Sequence, residues 1–328
     1  MASTLLSKTW STVGSTTKGT LSMWVKLDNN SGGDRYLYTV YLNATNELIL
    51  MHRDNGSSEG NLRIYVPGTS GPIDLATSRY VRDPSAFYHF VMAIDMSQST
   101  NTDRIKFYIN GVQDTFANAT WGSDGGGGWV AGNTAWSSHF GGTANAAGQN
   151  FGGTMANVEF VDGQQLDPTY FGSTNSATGI WTPADATAIS DYGTNGYKLK
   201  MDTTTPGADT SGKGNNFTVA NGTPTLTQGN PQNNWCTLNS LSGSLSNNIL
   251  SNGNNTIQPS SGGSGSRWRP STIAPSTGKW YAEFKPTSSS PNTSFGVTPQ
   301  VSWDSIDGEK IGSGAGGENK SVGYFRAG

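Results

Sequence analysis

Residues 87–113 read FYHFVMAIDMSQSTNTDRIKFYINGVQ and carry the strongest local structural signal in the chain. Residues alternate with period two in FYHFVMAID (87–95) and in RIKFYING (104–111), as they do in strands that bury one face. The Asn110-Gly111 pair predicts a type I′ turn, because both residues adopt a positive φ at low cost. The segment therefore predicts antiparallel strands whose alternate residues enter one core.

The same alternation recurs through the first 201 residues. In GTLSMWVKL (19–27) the apolar residues at odd positions face opposite to Ser22, Trp24 and Lys26. The other strands predicted in this way are RYLYTVYL (35–42), ELILMH (47–52), NLRIYV (61–66), GTMANVEFVDG (153–163) and GYKLKM (196–201). No segment has the period of an amphipathic helix, so the pattern predicts an all-β sandwich or jelly roll.

Composition excludes several classes of protein. The 328 residues include 20 basic and 23 acidic side chains without a long basic run, which argues against a nucleic-acid partner. A single cysteine, Cys236, excludes a scaffold held together by disulfides within the chain. No apolar stretch approaches 18 residues, and the N-terminus lacks a signal-peptide pattern, so we expect neither membrane insertion nor secretion by that route.

The composition of the chain changes between residues 203 and 278, where Gly, Ser, Thr and Asn dominate. We therefore predict a junction near residues 225–230, with one domain over 1–225 and a second β-unit over 226–328. In that second unit, GKWYAEFKP (278–286) alternates as a strand would, and Trp280 is expected to pack.

Three segments of the first domain carry a resemblance to a known superfamily. KGTLSMWVKL (18–27), residues 87–113 and FGGTMANVEFVDGQQLDP (151–168) are similar, in that order, to signatures of the laminin-G-like, concanavalin-A-like jelly-roll superfamily. The places of its paired-strand motif are taken here by His89, Asp95, Phe107, Tyr108, Asn110 and Gly111. Phe87 and Tyr88 replace the usual Trp-His opening. The resemblance implies a concanavalin-A-like jelly-roll β-sandwich over residues 1–225.

The remaining segments narrow the resemblance. Residues 151–217 are similar to a module of structural and receptor-type proteins of tailed bacteriophages. Residues 230–254, GKWYAEFKP and SVGYF (321–325) resemble the beginning of a SPRY-like β-sandwich that often follows that module. The SPRY-like part would be incomplete, so its other strands would lie on a longer natural chain or on a neighbouring subunit.

This resemblance implies a non-enzymatic virion protein. Two interpretations remain. The first is an adhesin on a tail fibre, spike or head appendage that binds host-surface polysaccharide, and the second is a capsid decoration or cement protein. A polysaccharide depolymerase is a third. The expected partners are other virion proteins, further copies of the chain as a homo-oligomer, and a host polysaccharide. The expected location is the tail, an appendage or the capsid surface of the virion.

The carboxylates do not form the pattern expected of a glycan hydrolase. Retaining hydrolysis needs two carboxylates about 5 Å apart, and β-glucanases of this fold use an E-x-D-x-x-E strand motif, which this chain lacks. Glu159 and Asp162 come nearest, but their odd separation places them on opposite faces of a regular strand. The three histidines, His52, His89 and His139, are dispersed and expected to be structural.

Calcium is the only metal that the sequence suggests, and no other cofactor is expected. Ca²⁺ takes six to eight oxygen ligands, which loops rich in Asp and Asn provide. LDNNSGGD (27–34) offers Asp28, Asn30 and Asp34 after a predicted strand. Asp and Asn are equally ordinary turn residues, so a plain turn remains the alternative.

A glycine-rich loop supplies the candidate binding site. Sugars present apolar faces edged with hydroxyls, and their sites use exposed aromatic rings beside Asn, Asp or Gln. The segment TWGSDGGGGWVAGNTAWSSHFGG (120–142) fits this description. Its candidate residues are Trp121, Asp124, Trp129, Asn133, Trp136 and His139. They would contact a glycan or another subunit, or, in the alternative, the tryptophans pack inside the sandwich.

Overall fold

The computed structural model describes residues 4–28, 33–53, 60–68, 71–122, 129–130, 132–143, 149–184, 189–202, 204–227, 229–233, 235–240, 248–259, 269–274, 277–285, 293–297 and 322–326. The chain divides into two compact units, Met1–Trp235 and Cys236–Gly328. This division falls at Trp235, later than the predicted junction at 225–230. Within the described ranges, no helix has the length and apolarity needed to cross a lipid bilayer.

The described residues are almost entirely in strands and loops. The strands are β1 (Leu5–Thr9), β2 (Lys18–Lys26), β3 (Arg35–Asn43), β4 (Asn46–His52), β5 (Leu62–Val66), β6 (Ile73–Thr77), β7 (Phe87–Asp95), β8 (Ile105–Ile109), β9 (Val112–Gln113), β10 (Phe116–Trp121), β11 (Ser137–Phe140), β12 (Thr154–Asp162), β13 (Gly172–Thr174), β14 (Trp181–Pro183), β15 (Tyr197–Leu199), β16 (Thr218–Asn221), β17 (Asn248–Ser251), β18 (Thr256–Pro259), β19 (Thr293–Val297) and β20 (Val322–Arg326). A single-turn helix, α1 (Asn101–Arg104), and a 3-10 turn, Pro168–Tyr170, accompany them.

Two antiparallel sheets build the first unit, and the all-β prediction is confirmed. One sheet has eight strands in the order β10-β6-β5-β4-β3-β11-β1-β16, and the other has six in the order β15-β12-β2-β7-β8-β9. The core is formed by apolar side chains from both sheets, among them Leu21, Met23 and Val25 of β2 and Leu48 and Leu50 of β4. Because β2 alternates strictly, one face supplies the core, as predicted.

The predicted turn at Asn110-Gly111 is also confirmed. Asn110 has φ 51° and Gly111 has φ 78°, and the two join β8 to β9. The side chain of Asn110 accepts a hydrogen bond from the backbone N–H of His89 (2.8 Å), which ties the turn to β7.

The outer face of the six-stranded sheet is covered, which the alternation did not predict. Ser22, Trp24 and Lys26 face away from the core, yet each is at most 3% exposed. Residues 163–184 and 189–196 lie over part of this face. It adds a second small apolar cluster, whose buried members are Val91, Val161, Phe171 and Tyr192.

The second unit shows two hairpins in its described part, β17 with β18 and β19 with β20. The strand predicted over residues 278–286 is wrong for the described residues 277–285, which form no strand. Trp280 is 66% exposed and not packed as expected. The physical reason is that alternation alone does not make a strand: this stretch has no hydrogen-bonded partner strand among the described residues.

Candidate functional site

The tryptophans of the glycine-rich loop belong to the core. Trp129 is 1% exposed and Trp136 is 7% exposed, and both join the core cluster of the sandwich. The backbone N–H of Trp10 donates to the carbonyl of Trp136 (2.8 Å), so the loop is tied to the end of β1. The prediction of an exposed aromatic platform is therefore corrected for Trp129 and Trp136. Burial of their large apolar surface outweighs the polar composition of the loop around them.

The other residues of that loop do not gather into a site. Trp121 is half-buried and contacts Phe116 edge to face, with ring centroids 6.3 Å apart. Asn133 is half-buried, and its side chain accepts from the backbone N–H of Thr134 (2.7 Å). His139 is 3% exposed on β11, where burial lowers its pKa, so it offers no accessible ring. Asp124 lies outside the described residues.

The predicted calcium ligands are only partly described. Asp34 faces Arg53, with 3.9 Å between the carboxylate and the guanidinium nitrogen, and this charge opposes a cation at the same carboxylate. Asp28 is half-buried and already has a partner in the chain. Asn30 lies outside the described residues. Elsewhere in the described part of the chain, no three His, Cys, Asp or Glu side chains are grouped to hold a metal.

Glu159 and Asp162 each have structural partners. Glu159 receives the hydroxyl of Tyr192 in a short hydrogen bond and forms an ion pair with Lys198 (3.1 Å). Asp162 accepts from the backbone N–H groups of Ser15 (2.8 Å) and Asn195 (2.9 Å). Glu159 and Asp162 are 5% and 6% exposed, so these carboxylates join β12 to its neighbours rather than face a cleft.

A cleft of about 400 Å³ lies beside the first half of β12, within the first unit. Its walls are residues 154–157 of β12, residues 200–202 after β15, and residues 225–227 and 229–232. Ligand sites are typically concave, with a few polar groups placed among apolar side chains. The lining fits that description, because it combines amide, hydroxyl and carboxylate groups with methionine side chains.

Three polar side chains of this cleft are available to a ligand. Asn157, Asp202 and Gln232 line it. None of these three side chains hydrogen-bonds or ion-pairs with another side chain or backbone group in the described part of the chain. Met155 and Met201 add apolar surface and pack partly against the core. The cleft therefore offers amide donors and acceptors, one carboxylate and an apolar wall.

Two backbone irregularities shape the cleft. At Asn157 (φ 45°) the register of β12 against β2 shifts, which marks a β-bulge, and the Asn157 N–H donates to the carbonyl of Lys200 (3.2 Å). Next to that carbonyl, Met201 has φ 59°. A left-handed conformation costs an L-residue roughly 1–2 kcal/mol, and only short polar residues such as Asn adopt it readily. Strain of this kind often accumulates at functional positions.

An exposed tryptophan follows the last lining residue of the cleft, Gln232, by three positions. Trp235 is 54% exposed, and its carbonyl accepts from the ammonium of Lys26 (3.2 Å). Lys26 is itself 3% exposed, so this contact anchors the backbone at Trp235 to β2. A Cβ on Gly229, which lines the cleft, would lie 3.9 Å from the backbone nitrogen of Trp235.

Sequence reasoning missed this site, although two signals were present. An Asn inside the apolar strand of residues 153–163 is unfavourable for a regular strand and favourable for a bulge. In NPQNNW (230–235) a tryptophan follows a run of turn residues, but the predicted junction assigned this stretch to the second domain.

A family model described as the concanavalin A-like lectin/glucanases superfamily matches residues 4–166. No curated protein sequence matches the chain. This superfamily includes both lectins and glucanases, so the match does not distinguish sugar binding from glycan hydrolysis.

Solved structures show distant likeness. A putative carbohydrate binding protein from Bacteroides ovatus shares 17% identity and has a TM-score of 0.44; the match covers 69% of this chain and 59% of that one. A SAP-like pentraxin from Limulus polyphemus shares 13% identity (TM-score 0.35; 50% and 71% covered). The enzymatically active domain of bacteriophage CBA120 tailspike protein 2 shares 12% (TM-score 0.37; 50% and 25% covered).

Proposed function

We propose, from the match of residues 4–166 to the concanavalin A-like lectin/glucanases superfamily, that the chain is a carbohydrate-binding protein whose glycan site is the cleft beside β12. The observation that carries the proposal is the exposed Trp235, whose backbone lies next to Gly229 of the cleft lining. Its ring supplies an apolar plane for a sugar, and the cleft supplies the amide and carboxylate groups that hydroxyls need.

Substitution of Trp235 tests the site directly. Trp235→Ala should weaken binding of the best ligand at least tenfold, a loss of about 1.4 kcal/mol. The measurement is a titration calorimetry series with the oligosaccharide that binds most tightly on an array of immobilised glycans. The melting temperature should change little, because the side chain is 54% exposed and exposed substitutions are usually within about 0.5 kcal/mol.

Trp280→Ala is the matched control. Trp280 is 66% exposed but belongs to the second unit, outside the cleft. Its replacement should leave the dissociation constant unchanged. Equal losses in the two variants, or no glycan bound by the unmodified protein, would reject the cleft as the binding site.

The protein is proposed to bind glycan without cleaving it. Support comes from Glu159 and Asp162, whose carboxylates are both engaged by groups of the chain. Asp202 is the one carboxylate among the described residues that line the cleft, and retaining or inverting hydrolysis by the usual route needs two. Release of new reducing ends from a bound polysaccharide would overturn this part of the proposal.

The proposed setting is the surface of a tailed-phage virion, as an adhesin on a tail fibre, spike or appendage. Support comes from the sequence order, in which residues 151–217 resemble a module of phage proteins and the SPRY-like segments follow it. Several copies of a weak site on one particle would provide attachment through avidity. Antibody raised against the protein should label the tail or appendages of intact virions in electron micrographs. Label over the whole shell would favour the decoration or cement alternative, and unlabelled virions would reject both.

A further inference from the structure

Met201 adopts a backbone conformation with positive φ, which the described residues otherwise show only at glycine, asparagine and alanine. Among the described residues, the non-glycine positions with positive φ are Asn110, Ala135, Asn157, Met201, Asn252 and Asn254. Met201 is the sole member of this group with a long apolar side chain, and it lines the cleft. Gly would adopt the same conformation without strain. The side chain itself is therefore the feature that needs explanation.

Burial in the core does not account for this side chain alone. Met201 and Met155 are half-buried, and both pack against the core. Both side chains line the cleft, together with Leu226 and Pro231. A thioether chain is soft and adapts its shape to an apolar neighbour. The cleft thus includes apolar residues that suit contact with a methyl-bearing substituent.

The same cleft offers amide groups. Asn157 and Gln232 line it, and neither side-chain amide hydrogen-bonds to another side chain or backbone group among the described residues. An amide pairs well with another amide, because each has both a donor and an acceptor. A substituent that combines an amide with a methyl group would satisfy both parts of the lining at once.

We infer that the cleft selects sugars that carry an acetamido group, an inference that rests on the proposed glycan-binding function. The acetamido N–H and C=O pair with the side chains of Asn157 and Gln232, and its methyl group contacts Met155 and Met201.

The test compares sugars that differ only in this substituent. Titration calorimetry with the full chain uses cellotriose against N,N′,N″-triacetylchitotriose, and galactose against N-acetylgalactosamine. In at least one pair the acetamido sugar should bind about tenfold more tightly. Met201→Gly keeps the backbone conformation, removes the apolar side chain, and should reduce that ratio to below about threefold.

Two further variants separate ligand contact from stability. Ala135→Gly relieves the same kind of backbone conformation (φ 70°) outside the cleft and should leave the ratio unchanged. Met201→Leu restores an apolar side chain and should recover the preference. A Met201→Gly protein that melts at or above the normal temperature, yet loses the preference, supports a ligand contact. One that melts lower and weakens both sugars equally indicates packing alone and overturns the inference.

Failure of this inference is distinguishable from failure of the proposed function. Equal binding of both sugars in each pair overturns acetamido selection. If no sugar of either pair binds but another glycan still binds in a Trp235-dependent manner, only the inference of acetamido selection is overturned. If no glycan on the array depends on Trp235, both the inference and the proposed function are overturned.

Discussion

His89 shows how a single buried polar side chain is satisfied in the first unit. The residue is fully buried, and its ring stacks on Trp24 with centroids 4.5 Å apart. The indole N–H of Trp181 donates to Nδ1 of His89 (2.9 Å), and Nε2 lies 2.8 Å from the hydroxyl of Ser22. An indole nitrogen only donates, so Nδ1 must accept and the proton is on Nε2. His89 is therefore neutral.

This neutrality makes stability depend on pH. Burial lowers the pKa of His89 to about 3 in the folded protein, whereas an unfolded chain has a value near 6.5. Between these values the unfolded state binds more protons, so the free energy of unfolding falls as pH decreases, by up to about 1.4 kcal/mol per pH unit. Urea denaturation at pH 7, 6 and 5 should show this loss.

The control replaces the titrating ring. His89→Gln lowers stability at every pH but should reduce its dependence between pH 7 and 5; the slope that remains comes from His139, whose pKa burial also lowers. Asp95 does not confound this window, because hydrogen bonds from Ser97 and Gln98 and the Lys18 ammonium outweigh its burial and lower its pKa. Its stabilising contribution is lost only as pH falls below about 4. An unchanged slope in the His89 variant would contradict the assignment.

At the scale of elements, the hairpin turn after β8 serves a second purpose. A Cβ on Gly111 would lie 2.6 Å from the ring of Trp181, and one on Gly172 would lie equally close to the same ring. The two glycines thus leave space for the ring that donates to His89. The turn signal in the sequence accounts for the positive φ of Gly111. The close approach of Trp181 depends on the folded residues 163–184, which lie over the sheet.

Paired substitutions separate these two requirements. Gly163→Ala places a side chain at φ 85° with nothing within 4 Å, so it should cost only the backbone strain, about 1 kcal/mol. Gly111→Ala adds the clash with Trp181 and should cost about 2 kcal/mol more. Guanidinium denaturation followed by circular dichroism measures both. Similar losses in the two variants would show that Trp181 moves aside freely.

Sequence alternation located the long strands and missed several of the short ones. The prediction for residues 87–95 coincides with β7, and those for 19–27 and 35–42 agree with β2 and β3 within one residue. β1, β11 and β16 were not predicted. They are four or five residues long and are hydrogen-bonded to strands distant in sequence, so local pattern carries little of their stability.

At the scale of the whole molecule, the end of the first unit decides whether the cleft is complete. A fragment of residues 1–235 should keep the ligand affinity of the full chain. A fragment of residues 1–225 should bind at least tenfold more weakly, because it lacks most of the segment 225–232 and Trp235. Titration calorimetry of both fragments tests this, with circular dichroism to show that each is folded. Equal affinity would place the site elsewhere.

The shorter fragment should also be less stable. Lys26 is buried, and removing Trp235 deprives its ammonium of one carbonyl acceptor. A lost hydrogen bond to a charged buried group costs about 1.5–3 kcal/mol. Fragment 1–225 should therefore unfold at a lower urea concentration than fragment 1–235. The same midpoint for both would show that the segment after 225 does not stabilise the sandwich.

The sequence by itself determined the all-β class, the face of β2 that enters the core and the turn at Asn110-Gly111, because period-two alternation and positive-φ residues act locally. Only the tertiary structure decided which tryptophans are exposed. Trp129 belongs to a glycine-rich segment and is buried in the core, whereas Trp235 is exposed, although both follow turn residues. Burial depends on surfaces that distant segments bring together, and no local pattern records that contact.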